Sequence, residues 1–108
     1  MVARDIDSIL MSLTGKYSSL KEFAQRLEDR LRFEGFCNLE VGIDRKNRAV
    51  TILVSEGQRY FPVVTIFLNY EKKDEFPYHF KHEEFFTSDE KSILVWNKEN
   101  LAKVRRER

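Results

Sequence analysis

The spacing of apolar residues changes from a helical to a strand period near Gly35. Before it, Ile6, Ile9, Leu10 and Leu13 stand at i, i+3, i+4 and i+7, one stripe of an amphipathic helix over residues 4–13. Asp5 and Asp7 lie in its first turn, where the helix dipole favours anions, and Thr14-Gly15 ends it. A second stripe, Leu20, Phe23, Ala24, Leu27 and Leu31, predicts a helix over 18–34 with its charged residues on the other side. Ser19 and Glu22 form a capping-box pattern at its start, and Gly35 closes it.

From Phe36 the period is two. Cys37, Leu39, Val41 and Ile43 face one way and Asn38, Glu40, Gly42 and Asp44 the other, a half-buried strand. Asp44–Arg48 is a turn. Ala49–Ser55 follows as a strand with apolar residues on both faces, and Glu56-Gly57 turns the chain into Arg59–Tyr70, which holds the longest apolar run. Both faces of that run are mostly apolar, which predicts a central strand covered on both sides, with Pro62 near its start. Glu71–Glu75 is a charged loop, and Phe76, Tyr78 and Phe80 alternate in a further short strand behind Pro77. Ser92–Trp96 is short, apolar and β-branched, so a hairpin with Phe85-Phe86 is expected there. The alternative is one helix from Thr87 to Val104. In the hairpin case a final helix from about Asn97 turns Leu101 and Val104 inward. The resulting expectation is α+β: two N-terminal helices, an antiparallel meander of four or five strands and a C-terminal helix, in a single domain over 1–108.

Composition narrows the function classes. The chain of 108 residues is 34% charged and 42% hydrophobic with a net charge of +1, so no global field selects nucleic acid or membrane. Cys37 is the only cysteine, which excludes an internal disulfide and fits a reducing compartment. The N-terminal segment has no apolar stretch of signal-peptide type and no run approaches a membrane span, so a cytoplasmic location is expected.

Candidate chemistry is sparse. His79 and His82 point to opposite faces of a strand and cannot share an ion there, so two solvent-facing histidines and no metal are expected. Gly15-Lys16 lacks the leading glycine of a phosphate-binding loop, since position 10 is Leu10, and is expected to be a helix–helix turn. Cys37 is expected on the apolar face of its strand as a buried thiol. No cofactor or catalytic set follows from these residues. Basic residues supply one binding reading: Lys103, Arg105, Arg106 and Arg108 in the tail, with Arg45, Lys46 and Arg48 in the first hairpin, could contact phosphates. Helix–three strands–helix is also the element order of the double-stranded RNA-binding domain. The lysine-rich opening of that domain's last helix is missing, because the region reads Asn97-Lys-Glu-Asn-Leu-Ala, and no family is assigned.

The aromatics supply the other reading. Nine of the fourteen lie between Tyr60 and Phe86. Two helices with one stripe each cover one face of a sheet, which leaves either Phe61, Val63 and Phe67 or Val64, Ile66 and Leu68 on the other. A protein–protein interaction module is therefore the leading expectation, an adaptor, an inhibitor or a self-associating domain. Phe61, Val63 and Phe67 would meet the partner or a second copy. A nucleic-acid-binding accessory protein is the alternative.

Overall fold

A computed structural model describes residues 2–82 and 92–107. Both expected helices are present, α1 over Val2–Ser12 and α2 over Leu20–Phe33. Their stripes are the buried ones: Ile6, Ile9 and Leu10 on α1, and Leu20, Phe23, Ala24, Leu27 and Leu31 on α2. Ser19 caps α2 by accepting the Glu22 N–H at 3.0 Å, while the Glu22 carboxylate reaches one residue further back than in the usual box, to the Ser18 N–H at 2.8 Å. At the other end Gly35 has φ +90°, and Phe36 N–H bonds to Leu31 O while Gly35 N–H bonds to Arg32 O. That pair of bonds is a Schellman ending, and it needs the left-handed residue that glycine supplies.

Among the described residues seven strands follow a less regular plan than a meander. β1 (Gly15–Tyr17) lies between the helices, followed after α2 by β2 (Leu39–Asp44), β3 (Ala49–Glu56), β4 (Arg59–Phe67), β5 (Asn69–Tyr70), β6 (Tyr78–Phe80) and β7 (Ile93–Trp96). They form two antiparallel sheets, four strands in the order β2-β3-β4-β7 and three in the order β1-β6-β5. β2 to β4 are the expected meander. The Leu68 N–H makes the last bond in register with the β3–β4 pairing, to Arg48 O at 3.1 Å, and from Asn69 the chain belongs to the smaller sheet. After β5 and β6 it returns as β7 beside β4.

The expected helix–helix turn at 13–18 is thus corrected. Gly15–Tyr17 pairs with Tyr78–Phe80, a contact some sixty residues distant that local pattern does not reveal. Ile93–Trp96 is a strand, as the hairpin reading required and the helix alternative did not. The hairpin's other arm, Phe85-Phe86, lies outside the described residues. The C-terminal helix is corrected to a six-residue 3-10 helix, Lys98–Lys103.

β4 is bulged. Ile52 pairs with Val64 but Leu53 pairs with Pro62, so Val63 is an extra residue. Its carbonyl accepts the Asn97 N–H at 2.8 Å, and the Pro62 carbonyl accepts Asn100 Nδ2 at 2.6 Å. The 3-10 helix therefore satisfies two acceptors beside the break in the ladder, which accounts for the burial of Asn100. Inward residues of the larger sheet, Val50, Ile52, Val54, Val64 and Ile66, join both helical stripes and Phe80 in one core cluster.

Candidate interaction surface

Register fixes what the outer face of the larger sheet carries. Val50, Ile52 and Val54 point to the helices, so β3 turns out Thr51, Leu53 and Ser55. Opposite them β4 turns out Tyr60, Pro62, Thr65 and Phe67, and β7 turns out Ile93 and Val95. None of these nine residues is charged, in a chain that is 34% charged. Ile93 is 63% exposed, Val95 54% and Tyr60 54%. Thr51 Oγ1 donates to Thr65 Oγ1 at 3.4 Å, so the two central hydroxyls partner each other. Leu53 leans over Gly42 on β2, where a Cβ would meet its Cδ1 at 3.4 Å. Among the described strands of this face, charge returns on β2, as Glu40 and Asp44.

The residues expected to form that face divide. Phe67 is on it, half-buried. Phe61 is on the helix side, half-buried, with the Arg59 guanidinium 5.4 Å and the Lys103 ammonium 5.0 Å from its ring centroid. Val63 is wholly buried. The bulge is the cause, since one extra residue reverses which positions of β4 face out. Ile93 and Val95 were missed for a similar reason: only the β4–β7 register puts them beside Phe67 and Thr65.

The basic residues also divide. Arg45, Lys46 and Arg48 sit at the turn end of the β2–β3 hairpin, and Arg48 lies 4.4 Å over the Tyr70 ring. Lys103, Arg105 and Arg106 sit at the other end, about 20 Å away along a six-residue strand. There the tail is a strap. Asn38 Nδ2 donates to Lys103 O at 2.7 Å and Asn38 Oδ1 accepts the Arg105 N–H at 2.9 Å. Cys37 N–H and Glu107 N–H bond to Arg105 O and Gly35 O. Arg106 pairs with Asp5 at 2.8 Å, donates twice to Glu34 O and lies over Phe36. Lys103 stands 3.9 Å from Glu56. Arg108 lies outside the described residues. The strap also draws Cys37 out of the strand, so the buried thiol is corrected to an exposed one, with Sγ 3.7 Å from Arg105 O.

A polar cleft of about 480 Å³ lies on the small sheet, lined by Thr14, Lys16, Asn69, Tyr70, Glu71, His79 and Lys81. Lys16, His79 and Asn69 form one row across its three strands. Asp74 Oδ2 lies 2.8 Å from Lys16 Nζ and 3.1 Å from His79 Nε2, and Asp74 Oδ1 accepts the Phe76 N–H. The Lys16 hydrogen bond, and then that of Phe76, hold the Asp74 carboxyl down at about 2. His82 is mostly buried, with Nε2 2.7 Å from Asp7 Oδ1, so it ties the end of β6 to α1. Two solvent-facing histidines are thus corrected to two aspartate-paired ones. Among the described residues no group of three His, Cys, Asp or Glu is placed to hold a metal ion, and no helix is long and apolar enough to cross a membrane. Comparison of the chain with protein-family models, with curated proteins and with solved structures finds no match.

Proposed function

We propose that the chain is a non-enzymatic protein–protein interaction module whose docking surface is the outer face of the four-stranded sheet. The observation that carries this is the absence of charge from the nine outward residues of β3, β4 and β7, together with the exposure of Ile93 and Val95. A solvated sheet face alternates with polar and charged residues, whereas depletion of charge marks the centre of an interface. The polar cleft supports the reading from the other side. Of its lining residues, Lys16 and His79 are both engaged by Asp74, which lies beside the cleft and also accepts the Phe76 N–H. The basic residues stand in two groups at opposite ends of the β2–β3 hairpin, which does not favour a continuous track along phosphates.

A photo-cross-linker placed at Val95 tests this in extract of the cells that make the protein. Discrete protein adducts are expected at Val95, diminished by Ile93→Lys, and none from the same group at Lys21 on the exposed side of α2. Equal labelling at the two positions would overturn the reading.

A further inference from the structure

We infer that the partner on this face is a second copy of the chain, packed sheet on sheet about a two-fold axis, an inference that rests on reading the face as a protein interface. Strands of six, eight, nine and four residues, at about 3.3 Å per residue and about 4.8 Å between strands, give a face of roughly 430 Å² in projection. Its accessible area is larger, because side chains stand off the pleat. A stable dimer buries roughly 800 Å² per partner, so a partner must cover the whole of this face. A single docked helix, about 10 Å across, would hide only about half of the face. A sheet of equal width hides all of it, and the chain's own sheet has that width by construction.

The chemistry of the face suits a dry seam. Its central hydroxyls, Thr51 and Thr65, already bond each other, so burying them strands neither. The orientation follows from where charge resumes. An axis parallel to the strands would set the Glu40 and Asp44 edge of β2 against Ile93 and Val95 of the partner's β7, burying carboxylates on hydrocarbon. An axis across the strands sets β4 over β4 and β7 over β7, apolar on apolar, and sets the Glu40 and Asp44 rows of the two β2 strands against each other at the rim, where water and salt screen them. This arrangement passes the axis near Thr51 and Thr65, so identical residues approach each other there.

Sedimentation equilibrium on the purified chain is expected to show a reversible step from 12.9 kDa to twice that mass at micromolar concentration. Ile93→Lys and Val95→Lys should each raise the dissociation constant tenfold or more while leaving the circular dichroism spectrum unchanged. A second measurement does not depend on those variants folding. Thr65→Cys on a Cys37→Ser background should form an intermolecular disulfide on mild oxidation, and Lys21→Cys on the same background should not. A chain still monomeric at about 100 μM would overturn the second copy. So would a dimer indifferent to both lysines that leaves Thr65→Cys unlinked. In the first case, Val95 adducts of another mass in extract would keep the module reading and assign the face to a different protein. Failure at Val95 would remove both.

Discussion

Arg106 shows how far a single side chain can change the meaning of a sequence pattern. In the row Arg105-Arg106-Glu107-Arg108 it reads as one more solvent-facing cation. In the fold it donates twice to the last carbonyl region of α2, pairs with Asp5 of α1 and covers Phe36. A cation at a helix C-terminus is stabilising by electrostatics alone, and here it also satisfies the Glu34 carbonyl. Arg106→Ala should therefore lower stability by about 1–2 kcal/mol, whereas Arg105→Ala, exposed and held through its backbone, should stay within about 0.5 kcal/mol. Urea unfolding of the two variants checks this, and equal effects would refute the strap. Leu27→Ala should cost roughly 2–5 kcal/mol in the same assay, since the side chain is wholly buried between α2 and the sheet. Titration adds two limbs. Asp74 has its folded pKa below its unfolded value, so its contribution is present above about pH 4 and is lost as pH falls towards 2. Burial raises the Tyr17 phenol above 10.0, so its contribution is present below that value and lost as pH rises through the folded pKa. Melting curves of Asp74→Asn should show a flatter acid limb than the parent, with the alkaline limb unchanged.

Among the elements, the helices were legible because a helix announces itself within a few residues. Leu20, Phe23, Leu27 and Leu31 need no distant partner to form a stripe, and Ser19 and Gly35 mark the ends. Strands β2, β3 and β4 were legible by their period and turns, with Gly57 at φ +67° opening the two-residue turn that joins β3 to β4. What was not legible depends on distant partners. β1 is three residues held by β6, and the apolar run of β4 passes at Leu68 into β5, which pairs with β6. The candidate face was half legible for the same reason. An uncovered apolar face could be inferred from two stripes against a two-sided strand, but its residues could not, because the Val63 bulge exchanges them. Deleting Val63 is expected to restore regular pairing between β3 and β4, with Pro62 following Val64 directly, so that Tyr60 and Pro62 still face out and Phe61 still faces the helices. The deletion should unfold at lower urea than the parent by at least the cost of losing a buried valine, about 1–3 kcal/mol.

For the whole molecule, two sheets and two helices share one core, and the surface features fall on different sides of it. Outer-face hydrocarbon lies on the larger sheet, the polar cleft on the smaller one, and the cations in two separated groups. Short DNA and RNA duplexes are accordingly expected to bind no tighter than the non-specific range of about 10⁻⁴–10⁻⁶ M at physiological salt. A salt titration that found a nanomolar, sequence-dependent complex would place nucleic acid ahead of protein as the partner. The strap also sets an order of events during synthesis. The C-terminal end of α2 is complete by residue 36 and carries Arg30 and Arg32, yet the side-chain donors to its Glu34 carbonyl come from Arg106, and Asn38 awaits Lys103 and Arg105. Some seventy residues must leave the ribosome in between. At about 5–20 residues per second that is several seconds during which Asp5, Glu34 and Phe36 stand without their seal. A nascent chain stalled before residue 103 should be cut by protease around residues 34–38, and one extended past residue 107 should resist. The hinge between helix and sheet is then the last part of the fold to become safe.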